Sequence, residues 1–162
     1  MMIKSEDFRA VMSAYGTGVT VATAALPDGT RVGLTVNSFT SVSLDPPLVL
    51  FCLDKRAASL SVFNQAEGFA INILHAEQEA VSRAFAQRGQ GPERWQGVAL
   101  ETWQSGAPVL TQALASIDCA RHALHDAGDH VIVVGRVLQL RRGQGQPLLY
   151  WNSQYQRLVA AG

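Results

Sequence analysis

The sequence predicts a mainly β fold with added helices, arranged as an antiparallel barrel, and three observations support this. Segments rich in Val and Thr outnumber the segments with helical periodicity. The segments at 18–24 and 31–41 flank a Pro-Asp-Gly turn at 27–29, and a second short turn lies at 127–129, as expected of β-hairpins. The helices fall between strands without the regular alternation of a parallel sheet. With 162 residues, one domain spanning 1–162 is expected.

The N-terminal half is expected to hold one helix, a hairpin and an inner strand. The helix has its apolar residues at i, i+3, i+4 and i+7, namely Phe8, Val11, Met12 and Tyr15. Ser5 is its expected N-cap. After the hairpin, the prolines at 46–47 force an extended break before residues 48–53, which are apolar on both faces and therefore predict a central strand.

The remaining elements follow from the same patterns. Short helices are expected at 59–64 and 77–86, strands at 69–74, 114–124 and 130–140, and a closing segment at 148–155 after a loop at 141–146. Residues 87–97 are polar and rich in Gly, and this composition predicts a mobile loop.

Composition excludes several classes of partner. The 13 Lys and Arg balance 13 Asp and Glu, so no global field attracts nucleic acid or anionic lipid. Charged residues make up 16% of the chain, below the roughly 25% that is typical, which predicts that another subunit covers part of the surface in a homo-oligomer. The first nine residues carry four charges and no apolar run, so no secretory signal is expected and the protein is predicted to be cytoplasmic. Cys52 and Cys119 lie in apolar segments and are expected to be buried free thiols.

Several familiar site patterns fail on geometry. The Gly-x-Gly at 16–18 follows a helix and precedes a strand, the reverse of a dinucleotide fingerprint, and that at 143–145 has no following helix. Cys119, His122 and His125 are spaced by three along a strand and so point to opposite faces, which disfavours a metal site, with or without His130. No Gly-x-Ser-x-Gly elbow occurs.

Two stretches suggest a polar ligand. Residues 35–41 carry hydrogen-bonding side chains on both faces of an expected strand, consistent with a rim for a planar, polar-edged ring or with a strand end that runs into a turn. Ser59 begins a helix near Lys55 and Arg56, an arrangement that suits a phosphate but equally a plain helix cap. Residues 82–85 add a second cation and an aromatic ring, or simply a solvated helix face.

Ordered motifs along nearly the whole chain resemble the flavin reductase-like family, the small reductase components of two-component flavin-dependent monooxygenases. The matching segments are 32–39, 43–49, 52–55, 69–74, 83–86, 128–130 and 147–150 with Tyr155. The resemblance implies an FMN-binding split barrel, a homodimer, and reduction of FMN or FAD by NADH or NADPH. It also implies a flavin-dependent monooxygenase partner that receives the reduced flavin by diffusion.

The resemblance also implies roles for individual residues. Those contacting the isoalloxazine ring would be Thr35, Val36, Asn37 and Ser38, with Ser41 at the end of the same polar stretch. Those holding the ribityl chain and phosphate would be Cys52, Leu53, Asp54, Lys55 and Ser59, completed by Arg83 and Phe85. His130 would position the nicotinamide, with Asn152 and Tyr155 in the same pocket. No metal is implied.

Two other functions are compatible with the sequence. One is a non-catalytic flavin- or haem-binding split-barrel protein, which would hold its chromophore tightly and would not oxidise NADH when free flavin is added. The other is a barrel with a purely structural or interaction role. The polar residues at 35–41 disfavour the second, because buried polar groups need partners.

Overall fold

The computed structural model describes residues 2–159 and is built around a seven-stranded antiparallel sheet. Its strands are β2 (Thr20–Ala25), β3 (Arg31–Val36), β4 (Thr40–Leu44), β5 (Pro47–Asp54), β6 (Gly68–Ile73), β9 (Ala115–Ala127) and β10 (His130–Arg142). Across the sheet they are ordered β3-β2-β6-β9-β10-β5-β4. Small sheets are formed by β1 (Thr17–Gly18) with β11 (Leu149–Trp151) and β12 (Gln154–Gln156), and by β7 (Leu100–Thr102) with β8 (Pro108–Leu110).

Three α-helices and one 3₁₀ helix surround these sheets. They are α1 (Ser5–Ser13), α2 (Leu60–Gln65), α3 (Glu79–Ala86) and the 3₁₀ helix Pro92–Trp95. None of the helices in residues 2–159 has the length and apolar character needed to cross a membrane.

The main sheet curls around one apolar core. Val32 and Val36 of the edge strand β3 lie in the same buried cluster as Phe51 and Leu53 of β5, which stands near the opposite edge. The ring of Phe51 packs edge-on against that of Phe69, with centroids 5.3 Å apart. The two ends of the sheet therefore face each other across the core, as the predicted barrel requires.

Both predicted hairpins are confirmed. β2 pairs with β3 from Thr20 opposite Val36 to Ala25 opposite Arg31, and β9 pairs with β10 across the turn at 128–129. β10 also pairs with β5, which places His130 directly opposite Asp54. In β5, buried and half-buried residues alternate, so one face lines the core and the other is partly exposed. The prediction for residues 48–53 was a strand buried on both faces.

Several local predictions were wrong. The polar stretch at 35–41 is not one strand, because β3 ends at Val36 and β4 begins at Thr40. The closing segment, for which the sequence indicated no particular element, is a hairpin whose two-residue turn is formed by Asn152 and Ser153, both with positive φ. Ser5 is the first residue of α1 rather than its cap, a position held by Lys4. Cys52 is half-buried, whereas Cys119 is buried as expected, and burial raises the pKa of the Cys119 thiol to about 12.

The loop at 87–97 is anchored, although its composition predicted mobility. Trp95 is 7% exposed and its ring meets that of Phe85 edge-on, with centroids 4.9 Å apart. A Cβ at Gly33 would lie 2.6 Å from the Phe85 ring, so only glycine allows β3 to approach this pair so closely. Packing against β3 thus outweighs the flexibility that the glycines would otherwise give.

Candidate active site

A cleft opens between the end of β3, the start of α2 and the residues after α3. This Ser59 cleft encloses about 430 Å³ and is lined by Leu34, Thr35, Asp54, Arg56, Ala57, Ala58, Ser59, Phe85, Ala86, Gln87, Arg88, Gly89 and Gln90. It gathers four of the predicted flavin residues, namely Thr35, Asp54, Ser59 and Phe85.

Ser59 has an unusual environment within this cleft. It occupies the N-cap position of α2 but makes no capping hydrogen bond, because its own backbone is helical, with φ −81° and ψ −13°. The side chain is fully buried, and its Oγ has no hydrogen-bond partner in the described part of the chain. A buried hydroxyl without a partner costs about 1–3 kcal/mol. The arrangement fits a ligand that supplies the missing acceptor.

Two cations line the cleft, Arg56 and the exposed Arg88. Arg56 is the one close to Ser59 in the chain. Its Nη2 lies 2.8 Å from Asp54 Oδ2 and its Nε lies 3.1 Å from Oδ1. These hydrogen bonds hold the pKa of Asp54 well below its ordinary value and raise that of Arg56. The Arg56 side chain is 82% exposed, so it can turn toward an anion without leaving a buried charge unpaired.

Lys55 and His130 lie together at the end of the β9–β10 hairpin rather than in the lining of the Ser59 cleft. Lys55 Nζ donates to the Gly128 carbonyl at 2.7 Å and pairs with Asp126. His130 Nδ1 lies 2.7 Å from Asp129 Oδ1, a contact that lowers the pKa of Asp129. Of the expected pair, Lys55 and Arg56, only Arg56 lines the Ser59 cleft.

Arg83 and Tyr155 line a second cleft with Glu79, Tyr150, Ser153 and Gln154, which we call the Tyr155 cleft. Arg83 forms an i,i+4 ion pair with Glu79 at 2.6 Å and stands 4.9 Å above the Tyr155 ring. Glu79 raises the pKa of Arg83. Arg83 is thus beside the predicted nicotinamide residue Tyr155 and is absent from the lining of the Ser59 cleft.

A buried serine connects these two clefts. Thr35 Oγ1 donates to the Ser82 carbonyl at 2.7 Å, and Ser82 Oγ lies 2.8 Å from the Tyr155 hydroxyl. Ser82 is fully buried. The sequence placed Ser82 next to Arg83 but gave it no role. The signal in the sequence is its position, because Ser82 is a small polar residue on the inner face of an amphipathic helix.

Asn37 and Ser38 line a third cleft of about 550 Å³, together with Tyr15, Gly16, Thr17, Gly18, Thr20, Phe39, Thr40 and Ile73. Ser38 Oγ accepts from the Cys52 amide at 2.9 Å and reaches the Cys52 carbonyl at 3.3 Å. The pairing of β4 with β5 ends at Thr40, opposite Leu50. Ser38 then supplies hydrogen bonds to the next part of β5, at Cys52. The polar stretch serves as a strand end as well as a cleft wall.

The other predicted contacts are placed less directly. Leu53 is fully buried in the core, and Val36 is 8% exposed and accepts a hydrogen bond from Thr20 at its carbonyl. Ser41 is exposed on the edge strand β4. Asn152 stands in the exposed turn between β11 and β12, where its backbone N–H donates to the Ser13 carbonyl.

Within residues 2–159, no three His, Cys, Asp or Glu side chains are grouped so that they could hold a metal ion. The polar groups that converge are hydroxyls, amides and guanidinium groups. These suit a phosphate and the polar edge of a ring.

The fold is a split barrel, and the chain belongs to the family described as "Flavin reductase like domain", which matches residues 12–159. An FMN reductase (NADH) from Agrobacterium fabrum is 42% identical over 94% of this chain and 86% of its own length. The reductase component of 4-hydroxyphenylacetate 3-monooxygenase from Thermus thermophilus is 40% identical over 95% of this chain and 97% of its own.

A solved structure gives the same result in three dimensions. The NADH:FAD oxidoreductase SgcE6 from Streptomyces globisporus, in complex with NAD and FAD fragments, superposes with a TM-score of 0.88 and 34% identity, covering 98% of this chain and 97% of that one. The comparisons confirm the predicted family, the split-barrel fold and the predicted enzyme class, an NAD(P)H-dependent flavin reductase.

Proposed function

We propose that this single-domain chain reduces FMN or FAD with NADH or NADPH and that the Ser59 cleft holds the phosphate end of the flavin. The observation that carries this proposal is the buried Ser59 hydroxyl without a partner, which a phosphate oxygen would satisfy. Arg56 supplies the nearby positive charge, since its bond to Asp54 is exposed and exchangeable.

The ring of the flavin is assigned to the polar residues that follow the cleft along β3. Thr35 lines the Ser59 cleft, and Asn37 and Ser38 line the next cleft along the same segment. An extended ligand that leaves Ser59 along this segment meets hydroxyl and amide groups at its edge. Cys52 acts by holding Ser38 in place through its backbone, because both its amide and its carbonyl are hydrogen-bonded to Ser38 Oγ.

His130 is assigned to the nicotinamide nucleotide. Asp129 holds Nδ1, and no hydrogen bond to Nε2 is formed within residues 2–159. Nε2 is therefore available to accept from a carboxamide N–H when the ring is neutral, or to donate to a pyrophosphate when it is charged. Because His130 stands opposite Asp54, which lines the Ser59 cleft, the two nucleotides would be held side by side.

The bound nucleotides supply the chemistry, a hydride transfer from nicotinamide to flavin, and the chain supplies binding and orientation. Thr35 bonds to Ser82 and Ser82 bonds to Tyr155, so partly buried hydrogen bonds link the Ser59 cleft to the Tyr155 cleft. No nucleophile is required, which agrees with a site built from hydroxyls, amides and arginines.

A homodimer is part of the proposal. The large apolar residues of α1 are exposed, Phe8 by 59%, Val11 by 72% and Met12 by 48%, and so is Tyr15 just after the helix, by 70%. Exposure of an apolar helix face to water is unfavourable, so a second subunit is expected to cover it. Sedimentation should give a particle of twice 17.4 kDa at micromolar concentration. A particle of one chain mass would contradict the dimer.

The proposed partner is a flavin-dependent monooxygenase that takes up reduced flavin in the cytoplasm. The name of the Thermus thermophilus relative, a monooxygenase reductase component, supports this partner. A coupled assay would add a flavin-dependent oxygenase across a dialysis membrane. Product formed across that membrane would support delivery by diffusion, and product formed only on direct mixing would contradict it.

The activity itself is tested by steady-state oxidation of NADH and of NADPH with FMN, FAD or riboflavin supplied in turn. Turnover that depends on added flavin is expected, with a lower KM for flavins that carry phosphate than for riboflavin. A protein that retains a bound chromophore and oxidises neither nicotinamide nucleotide would instead be a non-catalytic binding protein.

A further inference from the structure

Arg94 is a buried cation whose hydrogen-bond acceptors are all backbone carbonyls. The residue is 4% exposed. Its Nη1 donates to Gly33 at 2.7 Å, and its Nη2 donates to Gln87 at 3.1 Å and to Gly89. Within residues 2–159 no carboxylate lies within ion-pair distance of it, and burial lowers its pKa. A buried charge without a counter-ion is unfavourable, so a role for Arg94 is expected in the segments that its hydrogen bonds join.

The carbonyls that Arg94 binds belong to a wall of the Ser59 cleft. Residues 87–90 all line that cleft, directly after α3. In the described part of the chain, this wall is tied to the rest of the protein by the bonds from Arg94 and by one from the Gly33 amide to Gln90 Oε1, at 3.1 Å. The position of the wall therefore depends on these two side chains.

The other end of the attachment is the free edge of the sheet. β3 pairs only with β2, so its outward amide and carbonyl need partners. At Gly33 those partners are Gln90 and Arg94. Arg94 thus joins the outer edge of β3 to the residues that follow α3, across the ring pair of Phe85 and Trp95.

We propose that Arg94 is a positioning residue for flavin binding: it fixes the wall at 87–90 opposite Ser59 and so closes the cleft around the phosphate end of the flavin. The inference rests on the proposed function of that cleft. The planar fork of a guanidinium reaches three carbonyls at once, whereas a lysine ammonium offers a single point of attachment. A positive charge alone, as in a lysine at this position, is therefore not enough to hold the wall at 87–90.

The test compares Arg94→Lys with Arg141→Lys. Arg141 is the control because, like Arg94, it donates to a backbone carbonyl, that of Leu110 at 3.0 Å. Its guanidinium lies 5.2 Å from the Trp103 ring centroid, as that of Arg94 lies 5.8 Å from the Phe85 ring centroid. Unlike Arg94, Arg141 also pairs with a carboxylate, that of Glu101. It lines neither the Ser59 cleft, nor the Tyr155 cleft, nor the cleft of Asn37 and Ser38. Both variants should lose some thermal stability, so stability alone does not separate the two roles.

Two readouts separate them. The first is tryptic cleavage after the exposed Arg88, which reports release of the wall without any flavin present. The second is the split between KM and kcat, with FMN as the varied substrate. For Arg94→Lys we expect faster cleavage and a KM for FMN raised on the order of tenfold, with kcat at saturating FMN changed by less than about twofold. Arg141→Lys should change neither.

Gln90→Ala provides a second route if Arg94→Lys fails to fold, because it removes one neutral bond to the same wall and should raise the KM for FMN by a smaller factor. Unchanged cleavage, or faster cleavage with an unchanged KM for FMN, would overturn the positioning role. A wild-type protein that does not bind FMN would overturn the proposed function as well, so the two failures are distinguishable.

Discussion

The Ser59 cleft and the end of the β9–β10 hairpin stand side by side but are built in opposite ways. Ser59 is fully buried, and its hydroxyl has no partner within residues 2–159. His130 has a side chain 41% exposed and bonded to Asp129. A buried and unsatisfied group is costly until a ligand arrives, whereas an exposed paired group costs little in either state. The first region is therefore suited to strong anchoring and the second to orienting a nucleotide that must leave after each turnover.

The largest expected effect follows from Ser59→Ala. The dissociation constant for FMN should rise by a factor that corresponds to about 1.5–3 kcal/mol, because a bond to a charged oxygen is lost. Stability without flavin should be unchanged or higher, because the variant removes a buried hydroxyl that has no partner. Fluorescence titration and thermal unfolding measure the two quantities.

Ser61→Ala is the control for that variant, since Ser61 is an exposed residue of the same helix. It should leave FMN affinity as it is. If Ser59→Ala binds FMN as tightly as the parent, the phosphate is held elsewhere and the contrast between the two regions disappears.

His130→Ala is expected to have a smaller effect, and on the other nucleotide. The KM for NADH should rise about fivefold, the equivalent of one hydrogen bond, while the dissociation constant for oxidised FMN stays within about twofold. Steady-state kinetics and a flavin titration on one preparation would show this. A main defect in flavin affinity would assign His130 to the wrong ligand.

Lys55→Ala sharpens the comparison, because the sequence placed Lys55 beside the phosphate and the structure bonds it to the hairpin turn. Loss of its contacts to Gly128 and Asp126 should loosen that turn and raise the KM for NADH by about twofold to threefold, since exposed ion pairs contribute little. FMN affinity should change less than in Ser59→Ala. Equal losses of FMN affinity in both variants would restore Lys55 to the phosphate site.

The smallest effect concerns pH and Asp54, whose pKa is lowered chiefly by the hydrogen bond from Arg56. A lowered pKa in the folded state means that the stability it contributes is present above the ordinary value of 3.8 and is lost as the pH falls below it. The difference in urea midpoint between the parent and Asp54→Asn should therefore be constant near neutrality and shrink below pH 3.8. A difference that grows on acidification would contradict the assigned cause.

Local pattern was sufficient for much of the fold. The β2–β3 hairpin followed from segments rich in Val and Thr, and the β9–β10 hairpin from a Val-rich strand, each beside a turn that contains Gly. These signals act within a few residues. The C-terminal hairpin was missed since its turn uses Asn152 and Ser153 without a glycine. The small β7–β8 pair was missed because three-residue strands carry almost no periodicity.

The site was harder to predict where it depends on distant contacts. Composition alone suggested mobility at 87–97, and nothing local reveals that the edge of β3 at Gly33 needs partners from Gln90 and Arg94. Ser59 was identified from its place before a helix, yet its free hydroxyl depends on a helical backbone that local sequence does not specify. Arg83 was grouped with Ser59, although Glu79 and Tyr155 hold it in a neighbouring cleft.

A crystal structure of the protein with FMN bound would test the central claim most directly. The phosphate is predicted to lie in the Ser59 cleft, with one oxygen at a normal hydrogen-bonding distance of about 2.5–3.0 Å from Ser59 Oγ and with the wall at 87–90 closing over it. A phosphate bound elsewhere, with the Ser59 hydroxyl still buried and without a partner, would contradict the account.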